Sequence, residues 1–224
     1  IKYFLNPITI FIQAFTVLPK RLNSNMDLKD IFVKHKCDKG IKHGYWKLYQ
    51  DDFEKVRNKE IDILEIGTFK GESTNAWLEY FPNANIYTID TFERIKAIDL
   101  PCLEDKRVEW AQLDSTSESC NSHFQTIKKQ FDFIIDDGLH TPDAQRKTFE
   151  KLFEFLKQDG AYYIEDVWML DKIDINHPWI KSHPNDFTME KYNKLIEAIS
   201  KYTVTHHDFS SKKIPDSFIL KIRK

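Results

Sequence analysis

Apolar side chains near the start of the chain recur at helical spacing. Ile8, Phe11, Phe15 and Leu18 follow one another every three or four positions, which places them on one helix face. Asn6-Pro7 offers a start, with Pro at the first helical position, and Lys20-Arg21 stands where the last turn would end. Such a helix packs on the domain or on a second copy of the chain, or else lies on a membrane surface. From residue 61 the pattern changes to short runs rich in Ile, Tyr and Phe, separated by longer amphipathic segments. Residues 61–66, 85–90, 108–113, 131–136 and 161–164 read as strands. Residues 73–80, 142–156 and 189–200 read as helices. Residues 204–209 and 217–222 read as two closing strands joined by a turn near Lys212. Strands alternating with helices predict an α/β fold, a mostly parallel sheet with helices on both faces. The link between the last two strands is too short for a parallel crossover, so one of them runs antiparallel. The expected organisation is an N-terminal helical extension over 1–45 and one α/β domain over 46–224.

Composition narrows the function classes. The 224 residues are 41% hydrophobic and include 17 Phe, enough for a sizeable core. Lys and Arg number 33 against 35 Asp and Glu, a formal charge of −2, without the basic footprint of a general nucleic-acid binder. Cys37, Cys102 and Cys120 are far apart and form no CxxC pair. They suit a reducing, cytoplasmic setting better than a disulfide framework or a cysteine zinc site. Residues 3–18 are interrupted by Asn6, Pro7 and Gln13 and are short for a membrane span. No A-x-A-like cleavage site follows them.

Candidate chemistry collects at the carboxyl ends of the expected strands, where open α/β sheets bind ligands. The first strand runs into Glu65-Ile66-Gly67-Thr68-Phe69-Lys70-Gly71. Gly67 and Gly71 allow a sharp turn and close approach of backbone to a ligand, or mark a plain structural turn. The spacing is not the dinucleotide fingerprint G-x-G-x-x-G. Asp90 ends the second strand about 20 residues on, where an acid accepts ribose hydroxyls. Turn and acid together favour a nucleoside ligand, with Asp114-Ser115 past the third strand as its base contact or as an ordinary Asx turn. The fourth strand delivers Asp136-Asp137-Gly138-Leu139-His140 and the fifth delivers Glu165-Asp166. Acids converging on one spot repel each other unless a hard cation such as Mg²⁺ or Ca²⁺ joins them. The alternative is separate caps and salt bridges. His140 lies close enough to share that site as a general base. Trp168, Pro178, Trp179, His183 and Phe187 form an aromatic insertion that walls an acceptor pocket or packs as a loop. His206 and His207 read as structural or exposed.

Together these residues resemble the class I S-adenosylmethionine-dependent methyltransferases, and among them the metal-dependent sugar O-methyltransferases of macrolide and surface-glycan pathways. The resemblance rests on Asp38-Lys39-Gly40 with His43-Gly44-Tyr45, on residues 63–67, 86–90 and 134–140, and on Ile164-Glu165-Asp166. The family often has a small residue and a Gly where this chain has Thr68 and Leu113. The resemblance implies a Rossmann-like, seven-stranded sheet with the last strand antiparallel. It implies that Glu65, Gly67 and Gly71 surround the methionine part of S-adenosylmethionine, and that Asp90 holds the ribose. Asp137, Glu165 and Asp166 would bind Mg²⁺, His140 would be the base, and the His43–Tyr45 region would cover the pocket. The acceptor would be a sugar or nucleotide-sugar hydroxyl in polysaccharide or glycan biosynthesis, and the assembly a homo-oligomer. Two other readings stand beside this one. One is a non-catalytic cofactor-binding or assembly protein of a glycan pathway. The other is an iron hydroxylase, which needs two His and one acid around its metal.

Overall fold

The structure, a computed structural model, describes residues 26–211 and 213–224. The helix expected at residues 6–20 lies outside the described residues. Helices α1 (Leu28–Lys34), α2 (Asp38–Ile41) and α3 (Trp46–Phe53) lead into strand β1 (Asp62–Ile66). Then follow α4 (Glu72–Tyr80), β2 (Asn85–Asp90), β3 (Val108–Gln112), α5 (Glu118–Ile127) and β4 (Phe131–Asp136). The chain continues through α6 (Pro142–Leu152), β5 (Leu156–Ile164), α7 (Pro178–Ser182), α8 (Met189–Ile199), β6 (Thr203–Asp208) and β7 (Phe218–Arg223). The seven strands form one sheet in the order β3-β2-β1-β4-β5-β7-β6. The first five pair in parallel, and β7 runs antiparallel to both β5 and β6. This is the expected Rossmann-like α/β fold, with the last strand of the chain inserted between β5 and β6.

Strand side chains alternate between two apolar layers, so both faces of the sheet are covered. Leu64 and Ile66, Ile134, and Tyr162 and Ile164 enter one layer with Phe124, Phe149 and Leu195 from α5, α6 and α8. Ile63, Ile135, Ala161 and Tyr163 enter the other with Phe32, Tyr49 and Trp77 from α1, α3 and α4. Residues on either side of position 45 therefore share one layer. That parity also governs the polar residues: Glu65, Asp137 and Glu165 continue the rows of Ile63, Ile135 and Tyr163, towards the α1–α4 side. The helices start where capping side chains satisfy free N–H groups. Ser117, Thr141 and Thr188 accept from the backbone N–H groups of Cys120, Ala144 and Lys191 at 3.3, 3.4 and 3.2 Å.

Two boundaries and one helix differ from the sequence pattern. The helix expected over 142–156 ends at Leu152, because a 3-10 turn over Phe153–Phe155 redirects the chain. Strand β5 then begins at Leu156 rather than at 161, since a pairing irregularity beside Phe131 and Phe133 absorbs the polar Lys157-Gln158-Asp159. Helix α5 left little periodic signal because only Cys120 and Phe124 on it are buried. Among the described residues no helix is long and apolar enough to cross a membrane.

Candidate functional site

The sheet order reverses between β1 and β4, and a crevice opens there at the carboxyl ends of the strands. It is a cavity of about 770 Å³ walled by the loops after β1, β2, β3 and β4, with Cys37, Asp38 and Lys39 across its front. Gly67 adopts φ +92°, and a Cβ built there would collide with the carbonyl oxygen of Asp137. The two loops touch only because that side chain is missing. Gly71 has φ +70° and lies so close to the Cys102 thiol that a Cβ would clash. Both glycines carry the conformation that L side chains rarely adopt.

Asp90 faces this cavity with its carboxylate fixed by backbone. Phe69 N–H donates to Oδ2 at 2.9 Å and Phe92 N–H to Oδ1 at 2.8 Å. Each oxygen keeps a lone pair for a ligand hydroxyl. Asp114 forms an Asx turn, accepting from the Thr116 N–H at 2.8 Å, and the Ser115 hydroxyl bonds to that of Thr148 at 2.8 Å. Both line the cavity. Glu65 does not line it, contrary to the expectation that it surrounds the ligand. Strand parity turns its carboxylate into the α4 layer, where the Thr74 hydroxyl donates at 2.5 Å and the Trp77 indole N–H at 2.9 Å. Burial pushes its pKa up. Glu65 anchors the start of α4 from beneath.

At one end of the cavity the acids of β4 and β5 meet. Asp137 Oδ1 lies 3.0 Å from His140 Nε2, and Asp166 Oδ2 lies 3.3 Å from His140 Nδ1. Ligand atoms of Asp137, His140 and Asp166 all fall within 4.8 Å of one another, close enough to share one cation. The Glu165 carboxylate stands just behind. One oxygen takes the Lys39 ammonium at 2.6 Å and the other takes the Tyr49 hydroxyl. Lys39 also reaches Asp137 Oδ2 at 2.5 Å. It is only 1% exposed, and lysine is almost never so buried unless paired. The Tyr45 hydroxyl donates to Asp166 Oδ1 at 2.5 Å, and His43 stacks on Tyr45 with Nδ1 3.5 Å from the same oxygen. Asp166 itself has φ +51°, a left-handed backbone that turns it back over the site. The segment α2–α3 thus supplies a donor to each of the three carboxylates.

Charge states follow from these neighbours. Burial alone would raise Asp137, but the Lys39 ammonium and the His140 hydrogen bond hold its carboxyl well below the usual range. Burial pushes Glu165 up to about 8 against the pull of Lys39, and it raises Asp166 too. Burial would lower His140, but the Asp137 hydrogen bond and the Asp166 charge outweigh it and bring the imidazole to about 9. With no cation bound, His140 carries a proton at neutral pH.

The aromatic insertion does not wall this cavity. Trp168 and Phe187 are buried in the α8 layer, and the Trp179 ring lies tilted against that of His183 with centroids 4.3 Å apart. His206 and His207 lie in β6 at the sheet edge. Lys39 and Tyr49 are the site residues to which the sequence motifs gave no role. Lys39 sits in a four-residue helix with no apolar period, so only its tertiary burial exposes it.

Comparison with known proteins extends this geometry. A methyltransferase-domain family matches residues 64–167. The chain is 28% identical over 167 residues to the 8-demethyl-8-(2-methoxy-alpha-L-rhamnosyl)-tetracenomycin-C 3'-O-methyltransferase of Streptomyces olivaceus, covering 70% of this chain and 41% of that one. It is 29% identical over 161 residues to the demethylmacrocin O-methyltransferase of Streptomyces fradiae, covering 68% and 39%. The chain thus spans about two fifths of the length of these curated relatives. The fold is similar to that of MycE, a methyltransferase from the mycinamycin biosynthetic pathway solved with Mg, SAH and mycinamycin VI. The TM-score is 0.64 at 22% identity, over 88% of this chain and 54% of MycE.

Proposed function

We propose that this chain, whose residues 64–167 match a methyltransferase-domain family, moves a methyl group from S-adenosylmethionine to a hydroxyl of a sugar or glycan precursor, using a divalent cation and His140. The observation that carries the reading is the Asp137–His140–Asp166 triangle at the end of a cavity large enough for a nucleoside cofactor. The residues fit both absent groups. Asp90 offers two half-satisfied carboxylate oxygens for ribose hydroxyls, and the glycine turn, free of Cβ atoms at Gly67 and Gly71, admits the ligand against backbone. The Asp137 and Asp166 carboxylates come within 4.8 Å of each other and supply the oxygen donors that suit a hard cation such as Mg²⁺, with the His140 imidazole beside them left off the ion as the base. When bound, S-adenosylmethionine supplies a methyl on a sulfonium, and Mg²⁺ lowers the pKa of a hydroxyl held against it.

The chain's own residues do the rest. Gly67 and Gly71 let the methionine end lie close to backbone, Asp90 fixes the ribose, and Asp114 with Ser115 borders the base. Asp137 and Asp166 hold the cation, with Glu165 as a third carboxylate behind them. His140 takes the hydroxyl proton. A base must first be neutral, and the two carboxylates that raise His140 are the same two that would face the cation. Neutralising them removes the charges that keep the imidazole protonated. Holding acceptor oxygen and methyl in line supplies much of the rate. A sugar acceptor is supported by the relatives, which are named for O-methylation of a rhamnosyl tetracenomycin and of demethylmacrocin. The triangle holds one imidazole and two carboxylates, the reverse of the two-His, one-acid iron site.

The test is titration calorimetry of S-adenosylmethionine with and without EDTA, followed by turnover on a panel of glycans. Asp137→Asn and His140→Ala should each lose ~100-fold or more in turnover while still binding the cofactor. Full turnover in both variants would remove this assignment. Cofactor binding with no metal-dependent turnover on any acceptor would favour the non-catalytic alternative.

A further inference from the structure

We infer that Lys39 is a resident cation of the acid site: its ammonium fills the position between Asp137 and Glu165, and an incoming divalent ion must displace it. The inference rests on the metal site proposed above. Three observations carry it. First, the Nζ atom lies 2.5 Å from Asp137 Oδ2 and 2.6 Å from Glu165 Oε2, so it bridges two carboxylates from neighbouring strands as a cation would. Secondly, the side chain is 1% exposed, so its charge has these acids in place of water. Thirdly, Asp137 is shared. Its Oδ2 faces Lys39 while its Oδ1 faces His140, in the group of atoms close enough to hold an ion. An ion that takes Asp137 through both oxygens, or that joins Asp137 to Glu165, competes directly with the ammonium.

Lys39 stands in a four-residue helix at the front of the cavity, between Cys37, which lines it, and Gly40. The side chain is long and flexible, and the cavity offers it somewhere to go. The device keeps two neighbouring acids, the buried Glu165 and the partly exposed Asp137, tolerable to the fold before metal arrives, at the expense of metal affinity.

The test uses Mn²⁺ alone, with no cofactor or acceptor. Mn²⁺ affinity is measured by calorimetry for the whole chain and for Lys39→Met and Lys39→Arg. Amine acylation read by mass spectrometry follows Lys39 in the unaltered chain with and without saturating Mn²⁺. Lys39→Met should bind Mn²⁺ at least tenfold more tightly, Lys39→Arg should not, and Lys39 acylation should rise severalfold on metal loading. Unchanged or weaker affinity in a folded Lys39→Met overturns the inference. So does Lys39 that stays equally protected in the Mn²⁺-saturated chain, a result that stands even where Lys39→Met does not fold. Failure of both the unaltered chain and folded Lys39→Met to bind Mn²⁺ overturns the metal site of the proposed function as well, which separates that failure from the other two.

Discussion

At the residue scale, the site is a set of charges that stabilise one another, and single substitutions read them out. His140 binds its proton more tightly in the fold than in the unfolded chain, since its pKa rises from 6.5 to about 9. That contribution is complete below the unfolded value and is lost as pH rises through the folded one. The metal-free protein should therefore lose stability between pH 6.5 and about 9 relative to His140→Gln, followed by urea midpoints across that range. Parallel curves for the two proteins would mean that His140 is not held as an imidazolium. The buried Tyr45 hydroxyl offers a second reading. It donates to Asp166 at 2.5 Å, and Tyr45→Phe leaves that carboxylate short of a donor, at a cost on the order of 1–3 kcal/mol. Chemical denaturation measures this, and no loss of stability would show that the hydroxyl is not holding Asp166. Site residues were unevenly legible at this scale. Gly67, Asp90, Asp137, His140 and Asp166 stand at strand ends, where side-chain type alone suggests ligand chemistry. Glu65 has the same placement and a different job, because strand parity sends it under α4 to Thr74 and Trp77.

At the element scale, the contact between the loops after β1 and β4 shapes the site. Gly67 at φ +92° allows the Asp137 carbonyl to lie against it, and Asp137 N–H in turn donates to the Ile66 carbonyl at 3.0 Å. Gly67→Ala forces a side chain into that contact. Backbone strain alone costs ~1–3 kcal/mol, and the two loops must part. We expect a lower melting temperature together with weakened S-adenosylmethionine binding. An alanine variant that melts and binds like the original would show that the loops tolerate separation. Elements whose residues are buried on both faces, such as β1, β2 and β4, were plain in the hydrophobic pattern. Helix α5 was not, because it buries little. The start of β5 was hidden by Lys157-Gln158-Asp159, which reads as a turn and is carried in the structure by the irregular pairing with β4.

At the scale of the whole molecule, the sheet is a partition between two apolar layers, and the clustered acids Asp137, Glu165 and Asp166 sit on the side closed by α1–α4. Leu28, Ile31, Phe32 and Tyr45 belong to that layer together with Trp77 and Tyr163. Lys39, Tyr45 and Tyr49 reach from it to the acids. Removing residues 1–45 should therefore expose Trp77 and leave Asp137, Glu165 and Asp166 without two of their donors. We expect such a chain to be unfolded or aggregated by circular dichroism and light scattering. A truncated chain that folds and binds S-adenosylmethionine would mark 46–224 as an independent unit.

The α/β class, the seven strands, the reversed pairing at the chain's end and the gathering of acids at the carboxyl edge of the sheet are all legible along the chain. These follow from local pattern: apolar runs of strand length, glycines at turns, and a final link too short for a crossover. Which side chains meet is settled by the packing of strands and helices. The meeting of Lys39 with Asp137 and Glu165 joins positions 98 and 126 residues apart, and no local period encodes such a distance. The turning of Glu65 away from the cavity was decided in the same way. Each depends on which face of a strand a residue occupies once the sheet order is set, and on which helix then covers that face.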